Sequence, residues 1–140
     1  MRGLVYISKA SSPFEEPELQ SLIKTSSENN SKNNITGYIS YDPKQSMFIQ
    51  YIEGNDKDIN ALFDKIYKDY RHKITHFVGK ETNNRRFPSW DMRLLEEHDF
   101  KEIHDIMICH LFHLDTSPNL MDYKNKLIWN AVDSIADNKV

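Results

Sequence analysis

Hydrophobic and polar positions follow two spacings along this chain, and the order of the two predicts a fold. Five runs rich in β-branched and aromatic residues predict strands at residues 3–8, 35–41, 47–53, 74–80 and 89–94. A first helix is predicted to follow Glu15 and to end at the amide-rich break of residues 29–34. Apolar residues at helical spacing from Ile59 to Tyr70 predict a second helix, for which Asn55 can serve as the cap.

This order, β-α-β-β-α-β with an extra fifth strand, predicts an α+β, ferredoxin-like sheet with two helices on one face. Two further helices are predicted, one over residues 100–111 and one that starts at Ser117–Pro118. Helical spacing assigns four inward positions to the last helix: Leu127, Ile128, Ala131 and Ile135. Because the second face of the sheet would otherwise expose apolar side chains, we expect these C-terminal helices to cover it. One domain is therefore expected, with residues 1–95 as its core and residues 96–140 as a helical extension.

Composition limits the classes of protein that this chain can be. Its 140 residues suffice for one domain, and its net charge of -3 argues against binding to nucleic acid. The single cysteine, Cys109, excludes an intramolecular disulfide and a multi-cysteine zinc site. His104, His110 and His113 lie near it without a matching carboxylate pattern, so no metal site is predicted. No apolar run is long enough for a signal peptide or a membrane span, and we expect a cytoplasmic protein without membrane contact.

The glycines restrict how a nucleotide could be held. There are four, at Gly3, Gly37, Gly54 and Gly79, and they lie too far apart for either of the usual phosphate-binding glycine motifs. A nucleotide cofactor would therefore have to be bound by other groups.

Gln50 is the most informative polar residue in the predicted strands. Period-two alternation places it on the same face as Phe48 and Ile52, where a buried amide without partners would cost several kcal/mol. In a ferredoxin-like sheet the first and third strands are neighbours, which brings Tyr6 to roughly 5 Å from Gln50 if their phases agree. A core glutamine bonded to backbone, beside an ordinary core tyrosine, remains the alternative interpretation.

Other candidate positions each have a plain structural interpretation beside a functional one. Trp90 and Met92 share a face of the predicted last strand and can be ordinary core residues. Asp69, Arg71 and His72 close the second predicted helix, where a cation is favoured and an exposed helix end is the simpler interpretation. The amides at positions 29, 30, 33 and 34 can be a helix C-cap and loop.

Taken together and in order, these segments carry a family resemblance. They are Leu4–Ser8, Asn29–Asn30, Asn34–Gly37, Phe48–Gly54, Asp69–His72 and Arg86–Met92. Over residues 2–95 the chain resembles a BLUF domain, the blue-light sensor that uses FAD.

The resemblance implies roles for particular residues. Tyr6 would be the photoactive tyrosine, Gln50 the switching glutamine, and Asn30 the asparagine whose amide holds the carbonyl edge of the flavin ring. Further cofactor-binding positions would be Ile23, Asn29, Lys65, Ile66, Asp69, Arg71 and His72, and further photoactive positions would be Trp90 and Met92. Lys65 departs from the family pattern, because many relatives have arginine there and lysine lacks the planar fork.

The resemblance also implies a function. Light would drive electron and proton transfer from Tyr6 to non-covalently bound FAD and rearrange the hydrogen bonds of Gln50. The resulting red-shifted state would act on the last strand and the C-terminal helices. A photoreceptor is thus expected rather than an enzyme, with a homo-oligomer or a separate protein effector as partner. A sensor segment of a longer chain, such as a photoactivated cyclase, is the other possibility, because Leu4–Lys9 resembles the start of one.

Two other classes compete with this interpretation. The first is a flavin-free ferredoxin-like module, either ligand-binding or acylphosphatase-like, in which Gln50 and the asparagines are structural. The second is an RNA-binding module of similar topology, which the net charge of -3 and the lack of a basic and aromatic central strand both disfavour.

Overall fold

The computed structural model describes residues 1–95 and 118–138. The elements are β1 (Arg2–Ala10), α1 (Glu16–Lys32), β2 (Thr36–Asp42), β3 (Met47–Gly54), α2 (Asp56–Lys68), β4 (His72–Glu81), β5 (Arg93–Leu94) and α3 (Pro118–Asn138). The chain divides into two compact units, Met1–Leu94 and Leu95–Val140. That the second unit is an extension of the same domain stays a prediction.

The first unit contains a five-stranded sheet in the order β4-β1-β3-β2-β5. β1 lies between β3 and β4 and is antiparallel to both, and in this register Tyr6 stands directly opposite Gln50. β5 adds to the outer side of β2 in parallel, where Tyr38 pairs with Arg93. The predicted ferredoxin-like order with a fifth strand is therefore confirmed.

The central strands β1 and β3 are buried on both sides, whereas β4 at the edge of the sheet is half-buried or exposed. All eight residues of β3 are buried, which is typical of a strand covered on two faces. The helix face packs against α1 and α2 and contains the main core: Leu4, Ala10, Leu19, Ile35, Ile39, Phe48, Ile52, Ile59 and Met92. The opposite face, here called the back face, carries Tyr38, Tyr51 and Glu53. The placement of α1 and α2 on one face is thus confirmed.

The predicted end of the first helix is wrong. Instead of breaking at residue 29, α1 continues through Asn29 and Asn30 to Lys32, and Asn33 is its C-cap. Asn34 follows with φ of 55°, a left-handed conformation that asparagine adopts more readily than most residues. As a consequence, Asn29 and Asn30 project from the rigid last turn of a helix and not from a loop.

The predicted last strand is also wrong for most of its length. Only Arg93 and Leu94 pair with β2. Pro88 has no N–H to donate to a strand ladder, and the chain turns there, with the Trp90 N–H donating to the carbonyl oxygen of Phe87 at 3.2 Å. Trp90 and Met92 therefore lie in an irregular segment and do not share a strand face.

In the second unit, the predicted last helix is confirmed as α3, which begins at Pro118. Of its predicted inward positions, Ile128, Ala131 and Ile135 are buried and Leu127 is half-buried. The other predicted helix, residues 100–111, lies outside the described residues, and the covering of the back face by these helices stays a prediction. No helix within residues 1–95 and 118–138 has the length and apolarity needed to cross a membrane.

Gly37 permits the close approach of β2 to β3, which leads to a stability prediction. Its φ is 154°, and a Cβ on it would collide with the backbone carbonyl of Tyr51, whose carbon would be 2.8 Å away. We expect Gly37→Ala to lower the free energy of unfolding by about 3 kcal/mol, since backbone strain and overpacking add. Urea denaturation measures this loss.

Gly54→Ala is the matched control, because its Cβ would come no closer than 3.2 Å to any atom outside its chain neighbours. The control should stay within about 1 kcal/mol of the parent. Equal losses in the two variants would contradict the argument from close approach.

Candidate functional site

A cavity of about 230 Å³ opens between α1 and α2 above the central strands of the sheet. Its floor comes from β1, β2 and β3, and its walls come from the two helices and the turn after α2. The lining residues are Tyr6, Phe14, Leu22, Thr25, Ser26, Asn29, Asn30, Ile39, Phe48, Gln50, Leu62, Lys65, Ile66, Asp69, Arg71 and His72. The cavity thus brings together nine of the predicted site residues.

Tyr6 and Gln50 form a buried hydrogen bond across β1 and β3. The Tyr6 hydroxyl donates to Gln50 Oε1, and each side chain is only 4% exposed. Burial raises the pKa of the Tyr6 phenol well above its ordinary value, the negative charge of Asp69 raises it further, and Arg71 opposes the shift. The phenol therefore keeps its proton at neutral pH.

The other end of the Gln50 amide contacts Met92. Gln50 Nε2 donates to Met92 Sδ at 3.3 Å, so both ends of this buried amide have a partner. A thioether sulfur has no proton to donate and can only accept. Met92 therefore favours the orientation in which the nitrogen of Gln50 faces the sulfur and the oxygen faces Tyr6.

Trp90 does not line this cavity. Its ring stacks on Phe87 with centroids 4.9 Å apart, and the guanidinium of Arg93 sits 4.7 Å from its centroid. Phe87 in turn contacts Tyr38 and Tyr51 on the back face, at 5.3 and 5.4 Å. The structure thus brings Met92 to Gln50 and leaves Trp90 with the back-face aromatic residues.

Two amides from the last turn of α1 line the cavity. Asn30 is buried, and one N–H of its side chain donates to the carbonyl oxygen of Asp91 at 3.1 Å. That bond leaves the second N–H of the same amide available to another acceptor. Asn29 is exposed, and its backbone carbonyl accepts a bond from the Asn33 side chain at 3.0 Å.

Charged groups lie at the end of the cavity formed by α2 and the turn that follows. The Arg71 guanidinium forms a salt bridge with the Asp69 carboxylate, with an Nη2 to Oδ2 distance of 2.6 Å. This bond holds the pKa of Asp69 below its usual value and raises that of Arg71. Lys65 forms no hydrogen bond or ion pair with the described residues, so its ammonium is not neutralised by them.

His72 forms part of the wall with both ring nitrogens occupied. Nε2 lies 2.8 Å from the carbonyl oxygen of Ile66, and Nδ1 lies 2.7 Å from Ser8 Oγ. Because a carbonyl only accepts, Nε2 carries a proton, and in the neutral ring Nδ1 accepts from Ser8. The His72 ring thus makes a T-shaped contact with the Tyr6 ring, at a centroid distance of 5.9 Å, and presents no free nitrogen.

The cavity lining includes residues that were not predicted from the sequence. Leu22 lines the cavity, and both Leu22 and Ile23 pack against the core. Helical spacing from Leu22 could have found Thr25 and Ser26, because positions three and four residues on share its face. The other missed residues are Phe14, Ile39, Phe48 and Leu62.

The lining is suited to one kind of ligand. Apolar side chains on two helices can enclose a flat ring, amides can bond to polar atoms at its edge, and a lysine can meet an anionic tail. No cluster of three histidine, cysteine, aspartate or glutamate residues suited to a metal occurs within residues 1–95 and 118–138.

Comparison with known proteins indicates one family. The family model "BLUF: Sensors of blue-light using FAD" matches residues 1–93. The photoactivated adenylate cyclase subunit beta of Euglena gracilis is 30% identical over 96 residues, which cover 66% of this chain. The chain spans only 11% of the length of that relative.

Two solved structures share the architecture. The photo-activated state of BlsA is 25% identical with a TM-score of 0.66, and the match covers 90% of this chain and 93% of that one. Klebsiella pneumoniae BlrP1 with FMN and cyclic diGMP is 25% identical with a TM-score of 0.63, over 84% of this chain and 31% of that one.

The pair formed by Asp69 and Arg71 predicts a pH dependence of stability. Because the folded pKa of Asp69 is lowered, the pair stabilises the fold fully above the unfolded value of about 3.9. This stabilisation is lost as the pH falls through the lower folded value. The urea midpoint of Asp69→Asn should therefore lie below that of the parent at pH 6 and converge with it towards pH 3.

Asp64→Asn is the control, because Asp64 forms an exposed helical pair with Lys68 at 3.0 Å. Its urea midpoint should remain close to that of the parent at both pH values. A gap between Asp69→Asn and the parent that stays constant with pH would rule out the assigned role of the pair.

Proposed function

The chain belongs to the BLUF family, the sensors of blue light that use FAD, and from this we propose which of its residues hold the flavin and which respond to light. The flavin ring occupies the cavity between α1 and α2. Tyr6, Gln50 and Met92 form the hydrogen-bonded chain that light rearranges. The observation that carries this proposal is the buried bond from the Tyr6 hydroxyl to Gln50 Oε1 at the cavity wall.

The chemistry of the lining supports a flavin. Leu22 on α1 and Ile66 on α2 supply apolar surface on two sides of the cavity. The second N–H of Asn30 is a donor for a ring carbonyl, and Asn29 lies beside it. Klebsiella pneumoniae BlrP1, which contains FMN, supports a flavin in this fold.

The charged end of the cavity is suited to a phosphate tail. Asp69 already neutralises Arg71, which leaves Lys65 as the cation that can meet phosphate oxygens. Lysine acts there as a mobile point charge and not as a planar fork. His72 supports the wall through its ring and contributes packing rather than a further hydrogen bond to the ligand.

A flavin excited by blue light supplies a strong one-electron oxidant. Tyr6 is suited to give the electron, because it is buried beside the cavity and its phenol is neutral. An oxidised phenol is a strong acid, so the proton on Tyr6 Oη leaves along its existing hydrogen bond towards Gln50 Oε1. Return of the electron and proton restores the phenol without a covalent change in the protein.

Gln50 can change its hydrogen bonds in response to this proton transfer, because its side chain has one donor end and one acceptor end. A rearranged amide that turns Nε2 towards Tyr6 would give up its bond to the Met92 sulfur. The rearranged state is thus held by new bonds at one end and opposed by the loss of a bond at the other. Decay in darkness follows, since the original arrangement satisfies both ends of the amide.

The output of the chain is sensory rather than enzymatic in this proposal. Rearrangement at Gln50 reaches Met92 and the adjoining β5, which pairs with β2 through only two residues. A second copy of the chain, or a separate protein effector in the cytoplasm, would detect the change. The curated relatives named as adenylate cyclases support an effector of that kind, since this chain matches a small part of them. The flavin-free ferredoxin-like module is set aside, because the family uses FAD.

Colour tests the proposed function. The purified protein should be yellow and release flavin on denaturation, and blue light should shift its visible absorption to the red, with recovery in darkness. Gln50→Leu should keep the yellow colour and lose this shift, because leucine cannot exchange a donor for an acceptor. Absorption spectra before and after illumination provide the measurement.

The control is Gln45→Leu, at an exposed glutamine of the turn between β2 and β3, which should behave like the parent. A colourless protein would exclude the flavin site. A Gln50→Leu variant with an unaltered photocycle would exclude Gln50 from the role assigned to it.

A further inference from the structure

Glu53 is a buried carboxylate on the back face of the sheet, away from the cavity. Its side chain has no exposed surface, although it is only three residues along β3 from Gln50. Because strand residues alternate in direction, the two side chains point to opposite faces. A buried charge is tolerated only with full hydrogen bonding, so its partners show what it is for.

Four donors meet the two oxygens of Glu53. Oε1 accepts from Thr36 Oγ1 at 3.1 Å and from the Phe87 N–H at 2.7 Å. Oε2 accepts from Tyr51 Oη at 2.7 Å and from the Arg86 N–H at 2.9 Å. An ionised carboxylate has about four acceptor positions, so its capacity is filled. Two of these donors are consecutive backbone N–H groups of the segment after β4.

The guanidinium of Arg85 reinforces the same attachment. Its Nη1 donates to the backbone carbonyl of Glu53 at 3.2 Å and to Thr36 Oγ1 at 3.0 Å. Its Nη2 donates to the carbonyl oxygen of Asn34 at 2.6 Å. The start of the segment is therefore fixed to β2 and β3 through both side chain and backbone.

The same segment ends at the light-responsive glutamine. We call residues 86–92 the crossing segment, because it runs from the back face to the helix face. Beyond its bonds to Glu53, the crossing segment accepts two hydrogen bonds through its backbone. The Gly37 N–H donates to the Trp90 carbonyl oxygen at 2.8 Å, and the Asn30 side-chain amide donates to the Asp91 carbonyl oxygen. The last attachment is at Met92, whose sulfur accepts a hydrogen bond from Gln50 Nε2. The segment has no strand ladder of its own, so these bonds, together with the packing of Met92 in the core and the pairing of β5 that follows it, determine where Met92 lies.

We propose that Glu53 is a positioning residue for the photocycle. By holding the start of the crossing segment it places the Met92 sulfur against Gln50, and so it sets how fast the light-induced state decays. This inference rests on the proposed function, in which Gln50 rearranges against Met92. It adds a carboxylate on the opposite face of the sheet as a determinant of the lifetime of that state.

Glutamine cannot replace Glu53 in this role, although it has the same shape. One backbone N–H meets each carboxylate oxygen, so either orientation of a glutamine amide turns its NH₂ group against one of them. That N–H loses its acceptor, so one of the two backbone hydrogen bonds that hold residues 86 and 87 to Glu53 is broken. Aspartate is one methylene too short to reach both. Glu53→Gln is thus a test of the attachment with little change in volume.

The test is a double-mutant cycle measured by dark recovery of the flavin absorption. The four proteins are the parent, Glu53→Gln, Met92→Leu and the double variant. Leucine keeps the volume of Met92 and removes the acceptor sulfur. We expect Glu53→Gln to slow recovery about threefold or more in the parent, and to change it by less than about 1.5-fold in the Met92→Leu background, because residues coupled through a shared stretch of backbone are not additive.

A matched core substitution separates positioning from general destabilisation. Ile49→Val removes a methylene from the same face of the same strand and touches none of the attachments. It should lower the urea midpoint and leave the recovery rate within about 1.5-fold of the parent. If Ile49→Val slows recovery as much as Glu53→Gln does, the effect belongs to loss of stability and the proposal fails.

A second variant covers the case in which Glu53→Gln fails to fold with flavin. Arg85→Gln removes the half-buried guanidinium from the same attachment and leaves the carboxylate in place. It should slow recovery in the same direction and lose that effect in the Met92→Leu background. Equal fold-changes in both backgrounds would overturn the proposal. A parent without a light-induced shift would instead refute the proposed function, so the two failures are distinguishable.

Discussion

The antiparallel register of β1 and β3 is the constraint on which the site depends. It places Tyr6 opposite Gln50 at the centre of the sheet, where both side chains are buried. Because side chains alternate along a strand, a slip of one residue would turn one partner to the other face and break the bond. The hydrophobic pattern that keeps each strand in register therefore also keeps Tyr6 and Gln50, the proposed photoactive pair, together.

β3 links two polar centres that face away from each other. Gln50 points to the cavity between the helices, and Glu53 points to the back face. Both ends of the Gln50 amide have a partner and the Glu53 carboxylate accepts four bonds, and the crossing segment is held by Glu53 at its start and by Gln50 at its end. The crossing segment thus connects the cavity residue Gln50 with the back-face residue Glu53 through a few residues of backbone.

Much of the site could be predicted from the sequence, and the failures have identifiable physical causes. Period-two alternation and the ferredoxin-like order were enough to bring Tyr6 to Gln50, because both follow from burial. The end of α1 was missed because Asn29 and Asn30, whose amides are typical of a loop, continue the helix, and the Asn30 amide bonds to the carbonyl oxygen of Asp91, which is distant in sequence. The strand over residues 89–94 was overestimated, since its apolar residues are buried by attachments of the crossing segment and not by a ladder. No local pattern revealed the four donors around Glu53.

The shortness of β5 has a consequence for local stability. Its ladder joins only Arg93 and Leu94 to β2, whereas β1 pairs along most of its length on both sides. Local openings involve the least strongly paired parts of a fold first, at a small fraction of the global unfolding free energy. Detaching β5 would leave the other four strands closed. In the proposed mechanism, a photochemical bias at Gln50 would therefore act on the part of the sheet with the fewest ladder pairs to resist it.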